Sequence, residues 1–105
     1  MAALIRPDLI EAHLLEAAME GGAAMLYSSG AYLPGAIDCA DGFGEVAFTT
    51  TATLGSLKGR VEVHYWHGGQ LYRFTTWVLS QPTSSRLRLV RPRRVFAMHQ
   101  SQHAA

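Results

Sequence analysis

The chain has 105 residues, of which 49% are apolar and 16% are charged, and its formal net charge is +1. This length fits one domain with a modest core, and the apolar fraction excludes a chain that is disordered throughout. The single cysteine, Cys39, excludes an internal disulfide framework and any metal site built from several cysteines.

The first predicted element is a helix over residues 7–20. Pro7 suits the first turn, where the backbone N–H lacks a partner in any case, and apolar residues recur at three- and four-residue spacing. Gly21 and Gly22 predict its end, because glycine accepts the left-handed conformation found after helices. No stretch reaches the roughly 20 apolar residues of a membrane span and no signal peptide is visible, so we expect a cytoplasmic protein.

Three short strands are predicted after the helix. Residues 24–27 form an apolar run that ends at a turn, and residues 32–39 form a second strand with a break at Pro34-Gly35. Residues 45–52 are rich in threonine and aromatic side chains, which favour an extended backbone. Asp41-Gly42 predicts the turn before this third strand.

The clearest prediction is a hairpin. Residues 60–66 alternate between two faces, with Val61, Val63 and Tyr65 on one of them. Gly68-Gly69 supplies the positive φ angles that a two-residue turn needs. The return strand, residues 71–79, places four alternating side chains on one face: Tyr72, Phe74, Thr76 and Val78.

The last third of the chain predicts two further strands. A turn over residues 81–85 leads to a strand over residues 86–89, which Pro92 ends, and residues 93–98 are assigned to one more short strand. Residues 100–105 are expected to form a flexible tail. A helix followed by about six antiparallel strands, without βαβ alternation, predicts an α+β fold with a small barrel or a strongly curled sheet.

The charges are strongly divided along the chain. Residues 1–55 carry seven carboxylates and one arginine, a net charge of −6. Residues 56–105 carry eight basic side chains and one carboxylate, a net charge of +7. This asymmetry indicates either that one face meets an anionic partner or that the two halves attract each other.

The strongest local signal is a run of five arginines within nine residues. Guanidinium groups present planar forks of donors that match phosphate and carboxylate groups. We interpret the run as a site for an anionic partner, which could be a cyclic dinucleotide, a nucleic acid or an acidic protein surface. The alternative is that these side chains pair with the acidic helix or are solvated. The five residues are Arg86, Arg88, Arg91, Arg93 and Arg94.

Two tryptophans are predicted on the face opposite the core. Exposed tryptophans often mark a binding surface, so we interpret Trp66 and Trp77 as the surface that meets a protein partner. The alternative is that this second face is covered, either by the helix or by a second copy of the chain in a homodimer.

The sequence contains no recognisable catalytic or metal-binding constellation. His64 and His67 are three residues apart, which places them on opposite faces of a strand, and no third ligand lies close by. His99 and His103 belong to the C-terminal end. Cys39 lacks the local motif of a catalytic nucleophile, and the glycines form no phosphate-binding loop. We therefore expect no enzyme activity, no metal and no cofactor.

The hairpin and the strand after it resemble the N-terminal domain of YcgR-type flagellar brake proteins, the PilZN family. Residues 87–92, Leu-Arg-Leu-Val-Arg-Pro, resemble the L-x-L-x-x-P segment of that family, and residues 44–48 and 57–59 resemble its preceding strands. The resemblance covers residues 24–99 and implies a small split β-barrel. The return strand matches the family pattern y-x-F-x-T-x-V through Tyr72, Phe74, Thr76 and Val78.

The chain departs from the larger family in two motifs. In YcgR-type proteins this domain precedes a PilZ domain, and an R-x-x-x-R motif at the junction binds cyclic di-GMP. Neither this motif nor the second PilZ motif, D/N-x-S-x-x-G, occurs here, so the five arginines do not inherit that role. The resemblance implies one PilZN-like domain over residues 1–99, as a stand-alone relative or an excised piece of a longer protein.

These observations favour a non-enzymatic bacterial regulatory or adaptor domain. The resemblance implies that it acts through protein contacts in cyclic-di-GMP-linked motility or surface signalling. The alternative is a small barrel that binds a nucleotide or a nucleic acid through the arginine run, for which steep salt dependence is expected. A barrel with enzyme activity or a bound flavin is the third hypothesis.

Overall fold

Eight strands and one helix make up the computed structural model, which describes residues 3–28, 30–39 and 45–98. The predicted turn at Asp41-Gly42 and the predicted tail over residues 100–105 lie outside the described residues. The elements are β1 Ala3–Leu4, α1 Pro7–Met19, β2 Ala23–Ser28, β3 Ala31–Asp38, β4 Glu45–Thr49, β5 Arg60–His67, β6 Gln70–Thr83, β7 Arg86–Val90 and β8 Val95–Ala97.

Six of the strands close into an antiparallel barrel. Around the barrel the order is β6-β5-β2-β3-β4-β7, and β7 pairs with β6 to complete the circle. β8 and β1 extend the sheet from the other end of β6. The predicted α+β barrel of about six strands is therefore confirmed. The two-residue β1 before the helix was not predicted, since so short a segment carries no periodicity.

The helix α1 packs one face on the barrel. Ile10, Leu14 and Ala17 are fully buried and join the core formed by the inward side chains of the strands. The chain leaves the helix at Gly22, which has φ +67° and whose N–H donates to the carbonyl of Ala17 at 2.9 Å. The carbonyl of Gly22 then accepts from the N–H of Ile37 at 2.8 Å, which fixes the helix end to β3.

The β5–β6 hairpin forms in the predicted register. Gly68 and Gly69 have φ angles of +58° and +79°, as a two-residue turn of this kind requires, and the ladder runs from His67 opposite Gln70 to Arg60 opposite Trp77. Alternation along both strands produces the buried face. Its fully or almost fully buried members are Val61, Val63, Tyr65, Phe74 and Thr76.

Two strands are longer or more continuous than predicted. β3 runs without a break through Pro34-Gly35, because the β3–β4 ladder covers only residues 36–38 and the missing N–H of proline costs that ladder no bond. β6 continues to Thr83 through two register shifts against β7, where residues 81–83 were expected to be a turn. Such irregularities increase the local twist of a strand, and here they lie in the part of β6 that pairs with β7.

Within the described residues, no helix has the length and the apolar character that crossing a membrane would require.

Candidate anion-binding cleft

A gap in strand pairing along β6 creates the candidate site. On the side away from β5, β6 pairs with β8 at Tyr72 and Arg73 and with β7 from Val78 onward. Among the described residues, no strand pairs with residues 74–77 on that side, a length of about 13 Å at about 3.3 Å per residue. The connection between β7 and β8, residues 91–94, passes beside this gap.

A hydrogen bond joins β6 to the last residue of β7, directly before this connection. The buried hydroxyl of Thr76 donates to the carbonyl of Val90 at 2.5 Å. Pro92 is buried, whereas the two residues that follow it, Arg93 and Arg94, are exposed. The loop therefore buries Pro92 and leaves the side chains of Arg93 and Arg94 exposed.

The result is a cleft of about 690 Å³ on the outer face of the sheet. This volume lies within the range of small-molecule binding pockets. Its floor is the outward face of β6, and its walls are Arg60 on β5 and the β7–β8 connection. The lining residues are Arg60, Arg73, Thr75, Thr76, Trp77, Val90, Arg91, Pro92, Arg93, Arg94 and Phe96.

Four of the five lining arginines lack an acidic partner. Among the described residues, no carboxylate oxygen lies within 4.0 Å of Arg60, Arg73, Arg93 or Arg94. The guanidinium of Arg73 lies 5.0 Å from the centre of the Phe96 ring, a cation–π contact that orients the side chain without neutralising its charge. The cleft thus concentrates positive charge that no side chain of the described protein balances.

The structure divides the predicted arginine run. Arg91, Arg93 and Arg94 line the cleft, whereas Arg86 and Arg88 lie along β7 and do not. Arg88 instead makes a two-pronged ion pair with Glu45 on β4, in which its Nε donates to Oε1 at 2.8 Å. The hydrogen bond from Arg88 lowers the pKa of Glu45.

The two oppositely charged halves of the chain do contact each other. Arg91 donates to Glu11 of α1 at 2.8 Å, and the imidazole of His67 is 3.0 Å from Glu16. With the Arg88–Glu45 pair, these contacts tie the acidic first half to the basic second half. Each pair is solvent-exposed on at least one side, so its contribution to stability is small. Attraction between the two halves therefore explains the positions of Arg88, outside the cleft, and of Arg91, inside it. It does not explain the remaining arginines of the cleft.

The two tryptophans are exposed but do not form one surface. Trp77 is 57% exposed and lines the cleft, whereas Trp66 is 44% exposed and lies near the hairpin turn opposite Leu71. Six residues of β6 separate Leu71 from Trp77, which is about 20 Å along the strand. Leu79, 50% exposed, lies two residues beyond Trp77, at the register shift between Val78 and Ser80.

Sequence reasoning missed three residues of the cleft, namely Arg60, Arg73 and Phe96. A signal for the first two was present, because the two-residue turn at Gly68-Gly69 fixes the register of the hairpin and places Arg60 opposite Trp77. Arg73 and Trp77 also share the outward face of one strand. Phe96 could not be placed, since its pairing with Arg73 depends on how the chain crosses from β7 to β8.

A second cluster joins the helix to the hairpin. The Nδ1 atom of His13 is 2.7 Å from the hydroxyl of Tyr65, and the rings of His13 and His67 are 4.1 Å apart. Burial raises the pKa of Tyr65, so its hydroxyl keeps its proton and can donate it to neutral His13. Burial, and then the neighbouring His67, lower the pKa of His13, while Glu16 and Glu20 act in the opposite direction.

This cluster predicts a fall in stability in mild acid. The folded-state pKa of His13 is lower than its unfolded value of 6.5, so the unfolded chain binds the proton more readily. The contribution of neutral His13 is complete above pH 6.5 and is lost as the pH falls below that value. We expect the free energy of unfolding, measured in urea, to be lower at pH 5.5 than at pH 7.5. The variant H13Q should lose this part of the pH dependence; an unchanged slope would contradict the assignment.

Metal-ligating side chains and the single cysteine are the other reactive groups of the described protein. No group of three or more His, Cys, Asp and Glu side chains among the described residues is placed to hold a metal ion. His99 and His103 lie outside those residues. Burial raises the pKa of the Cys39 thiol to about 11, so it is not a thiolate at neutral pH.

Comparison with known proteins identifies relatives of the fold only. No protein-family profile and no curated protein sequence matches the chain. MrkH, described as a transcription regulatory factor dependent on c-di-GMP, matches 94% of the chain with a TM-score of 0.77 and 11% identity. MrkH of K. pneumonia matches 96% of it in complex with c-di-GMP, with a TM-score of 0.78 and 11% identity. Its apo state matches 96% with a TM-score of 0.76 and 10% identity.

The chain spans 43 to 45% of the length of MrkH. This likeness shows a fold shared with MrkH and does not select the N-terminal domain of YcgR-type proteins.

Proposed function

We propose that this chain is a non-enzymatic regulatory domain in bacterial cyclic-di-GMP signalling that acts by contacting another protein. The observation that carries the proposal is the fold shared with MrkH over 94 to 96% of the chain, because MrkH is described as a regulatory factor that depends on c-di-GMP. A role in motility or surface signalling, in the cytoplasm, follows from the resemblance to YcgR-type proteins and is part of the proposal.

Protein contact is proposed because the sequence lacks the R-x-x-x-R arrangement. No two arginines of the chain are four residues apart, so recognition of cyclic di-GMP through that motif is not available to it. A domain without the motif can take part in such signalling by contacting a protein that senses the nucleotide.

The proposed contact surface is centred on Trp77 and Leu79. They lie two residues apart on β6 and both are at least half exposed. Exposed apolar groups next to charged ones are typical of interface centres. Trp66 belongs to a separate patch near the hairpin turn. A homodimer stays a prediction. The outer strand of the sheet is β1, which has only two residues and is therefore a short edge for pairing with a second copy.

Replacing Trp77 with alanine tests the proposal. The tagged chain is expressed in its host once at a raised and once at a depleted level of cyclic di-GMP. We expect it to retain a protein partner, in an amount that differs between the two levels. The W77A variant should retain at least about tenfold less of this partner than the wild-type chain. The reason is that truncating a tryptophan at the centre of an interface costs about 2 kcal/mol or more. Tyr32, 60% exposed on β3, provides a matched control as Y32A. Equal capture by W77A and by the wild-type chain, with W77A folded, would overturn this choice of surface.

A second candidate function is binding of a nucleotide or a nucleic acid. It is favoured by one observation, the cleft in which Arg60, Arg73, Arg93 and Arg94 have no carboxylate partner among the described residues. Because Arg86 and Arg88 lie outside the cleft, this candidate rests on a site different from the run of five arginines seen in the sequence.

A further inference from the structure

We propose that the cleft beside β6 binds a phosphate ester that carries a planar ring, a ligand of the size and chemistry of a nucleotide. This inference deepens the second candidate function and does not depend on the protein contacts of the first.

The phosphate part of the ligand is argued from charge and shape. Arg93 and Arg94 extend from the loop, and Arg60 and Arg73 reach the same cleft from neighbouring strands. A guanidinium can donate two parallel N–H bonds to phosphate, and such bonds are about twice as strong as those between neutral groups. Since none of these four side chains has a carboxylate within 4.0 Å among the described residues, binding breaks no ion pair at them.

The backbone adds a donor at the same place. The carbonyl of Leu71 accepts from Met98 on the β8 side of β6, so the alternation of the ladder directs the N–H and C=O of Thr75 to that side as well. Thr75 lies in the stretch where no strand of the described protein pairs with β6 on that side. Its N–H therefore faces the cleft and can donate to a ligand oxygen.

The ring is argued from Trp77. Its indole is 57% exposed in the wall of the cleft and stands opposite Arg60 across the β5–β6 ladder. Stacking of a base on an aromatic side chain contributes to binding in proteins that hold single nucleotides or strands, and it needs an exposed flat face of this kind. Phe96 offers less area, because Arg73 already covers its ring.

A small ligand is favoured over an extended polymer by the form of the site. The basic side chains surround one concavity of about 690 Å³ rather than following a stripe. Arg86 and Arg88, which would continue a track along β7, lie outside it, and Arg88 is occupied by Glu45. A nucleic acid would need successive contacts of that kind.

The chain contains two tryptophans, so the variant W66F leaves Trp77 as its single tryptophan, whose fluorescence can report binding. We would titrate this variant with AMP, GMP, c-di-GMP and, separately, inorganic phosphate, by fluorescence and calorimetry at two salt concentrations. Saturable quenching by at least one of the nucleotides is expected, with binding at least tenfold weaker for inorganic phosphate. The matched variant W77F, which keeps Trp66, should bind more weakly and show no quenching.

Two arginine variants of equal charge separate the cleft from a general electrostatic effect. R94Q removes a cleft arginine and should weaken nucleotide binding about tenfold or more. R86Q removes an arginine that lies outside the cleft and has no carboxylate within 4.0 Å among the described residues, so it should leave binding within about twofold. Circular dichroism of both variants checks that they are folded.

Several outcomes would overturn the inference. One is failure of all three nucleotides to bind at concentrations up to about 1 mM. Others are equal weakening by R86Q and R94Q, equal affinity for inorganic phosphate, and binding of a single-stranded oligonucleotide or an acidic peptide without binding of any nucleotide. Failure of nucleotide binding would leave the protein-contact proposal standing, because that proposal is tested by capture with W77A and Y32A.

Discussion

Replacing Phe48 with alanine is expected to lower the free energy of unfolding by about 3 to 5 kcal/mol. Phe48 is 0% exposed and lies on β4, opposite Ile37 of β3 and Leu87 of β7, so its ring fills the barrel where these two ladders meet. The change to alanine would leave a cavity in the barrel. The strands on both sides of β4 are held in their ladders, so they cannot easily move inward to fill it. Because domains of this size are stable by about 5 to 15 kcal/mol, the loss would be a large fraction of the total.

Urea unfolding followed by circular dichroism measures this loss. The matched control is Y32A, which removes an aromatic side chain that is 60% exposed on the neighbouring β3. It should change the free energy of unfolding by less than about 0.5 kcal/mol. A loss below about 1 kcal/mol in F48A would mean that the ring does not fill the barrel as the structure places it.

The sequence predicted the β5–β6 hairpin well because its local signals agree. Alternation selects Val61, Val63 and Tyr65 as one face, and Gly68-Gly69 fixes both the turn and the register. The helix is equally local, with Pro7 at its start and glycines after its end. These features are decided within a few residues, so no knowledge of the remaining chain is needed to place them.

The parts that the sequence did not place depend on distant contacts. The continuation of β6 through Pro82 to Thr83 is stabilised by pairing with β7, which local turn signals cannot reveal. The unbroken course of β3 through Pro34 similarly depends on where the β3–β4 ladder begins. In both cases proline and its neighbours indicate a break that the long-range ladder overrides.

The sequence indicated only some of the residues that line the candidate cleft. An arginine cluster with an exposed tryptophan nearby was expected, and the structure brings Arg91, Arg93 and Arg94 together with Trp77. Arg88 could not be excluded from sequence, because its partner Glu45 is 43 residues away. The cleft arises from the gap between β7 and β8 along β6, and this gap depends on where those two strands pair with β6.

Replacing Gly35 with alanine is expected to destabilise the protein by about 1 to 3 kcal/mol, the range for inserting a carbon into a well-packed site. A Cβ atom at this position would overlap the carbonyl oxygen of Thr49 and the ring of Phe48. Thr49 cannot move freely, because it is the last ladder position of β4 against both neighbouring strands. Glycine is therefore required here by close approach of the backbone, and β3 can pass over Phe48 only without a side chain at this point.

Gly55 provides the matched control, because a Cβ atom there would meet nothing within 4 Å and its φ is not in the left-handed region. The substitution G55A should leave the protein as stable or stabilise it by about 0.4 to 1 kcal/mol, since alanine reduces the conformational entropy of the unfolded chain. The two glycine-to-alanine changes are thus expected to have opposite signs in the same urea experiment. If G35A stabilised the protein, β3 and β4 would be further apart than the structure shows. Phe48 would then be packed less tightly, and the loss of unfolding free energy in F48A should be smaller than expected.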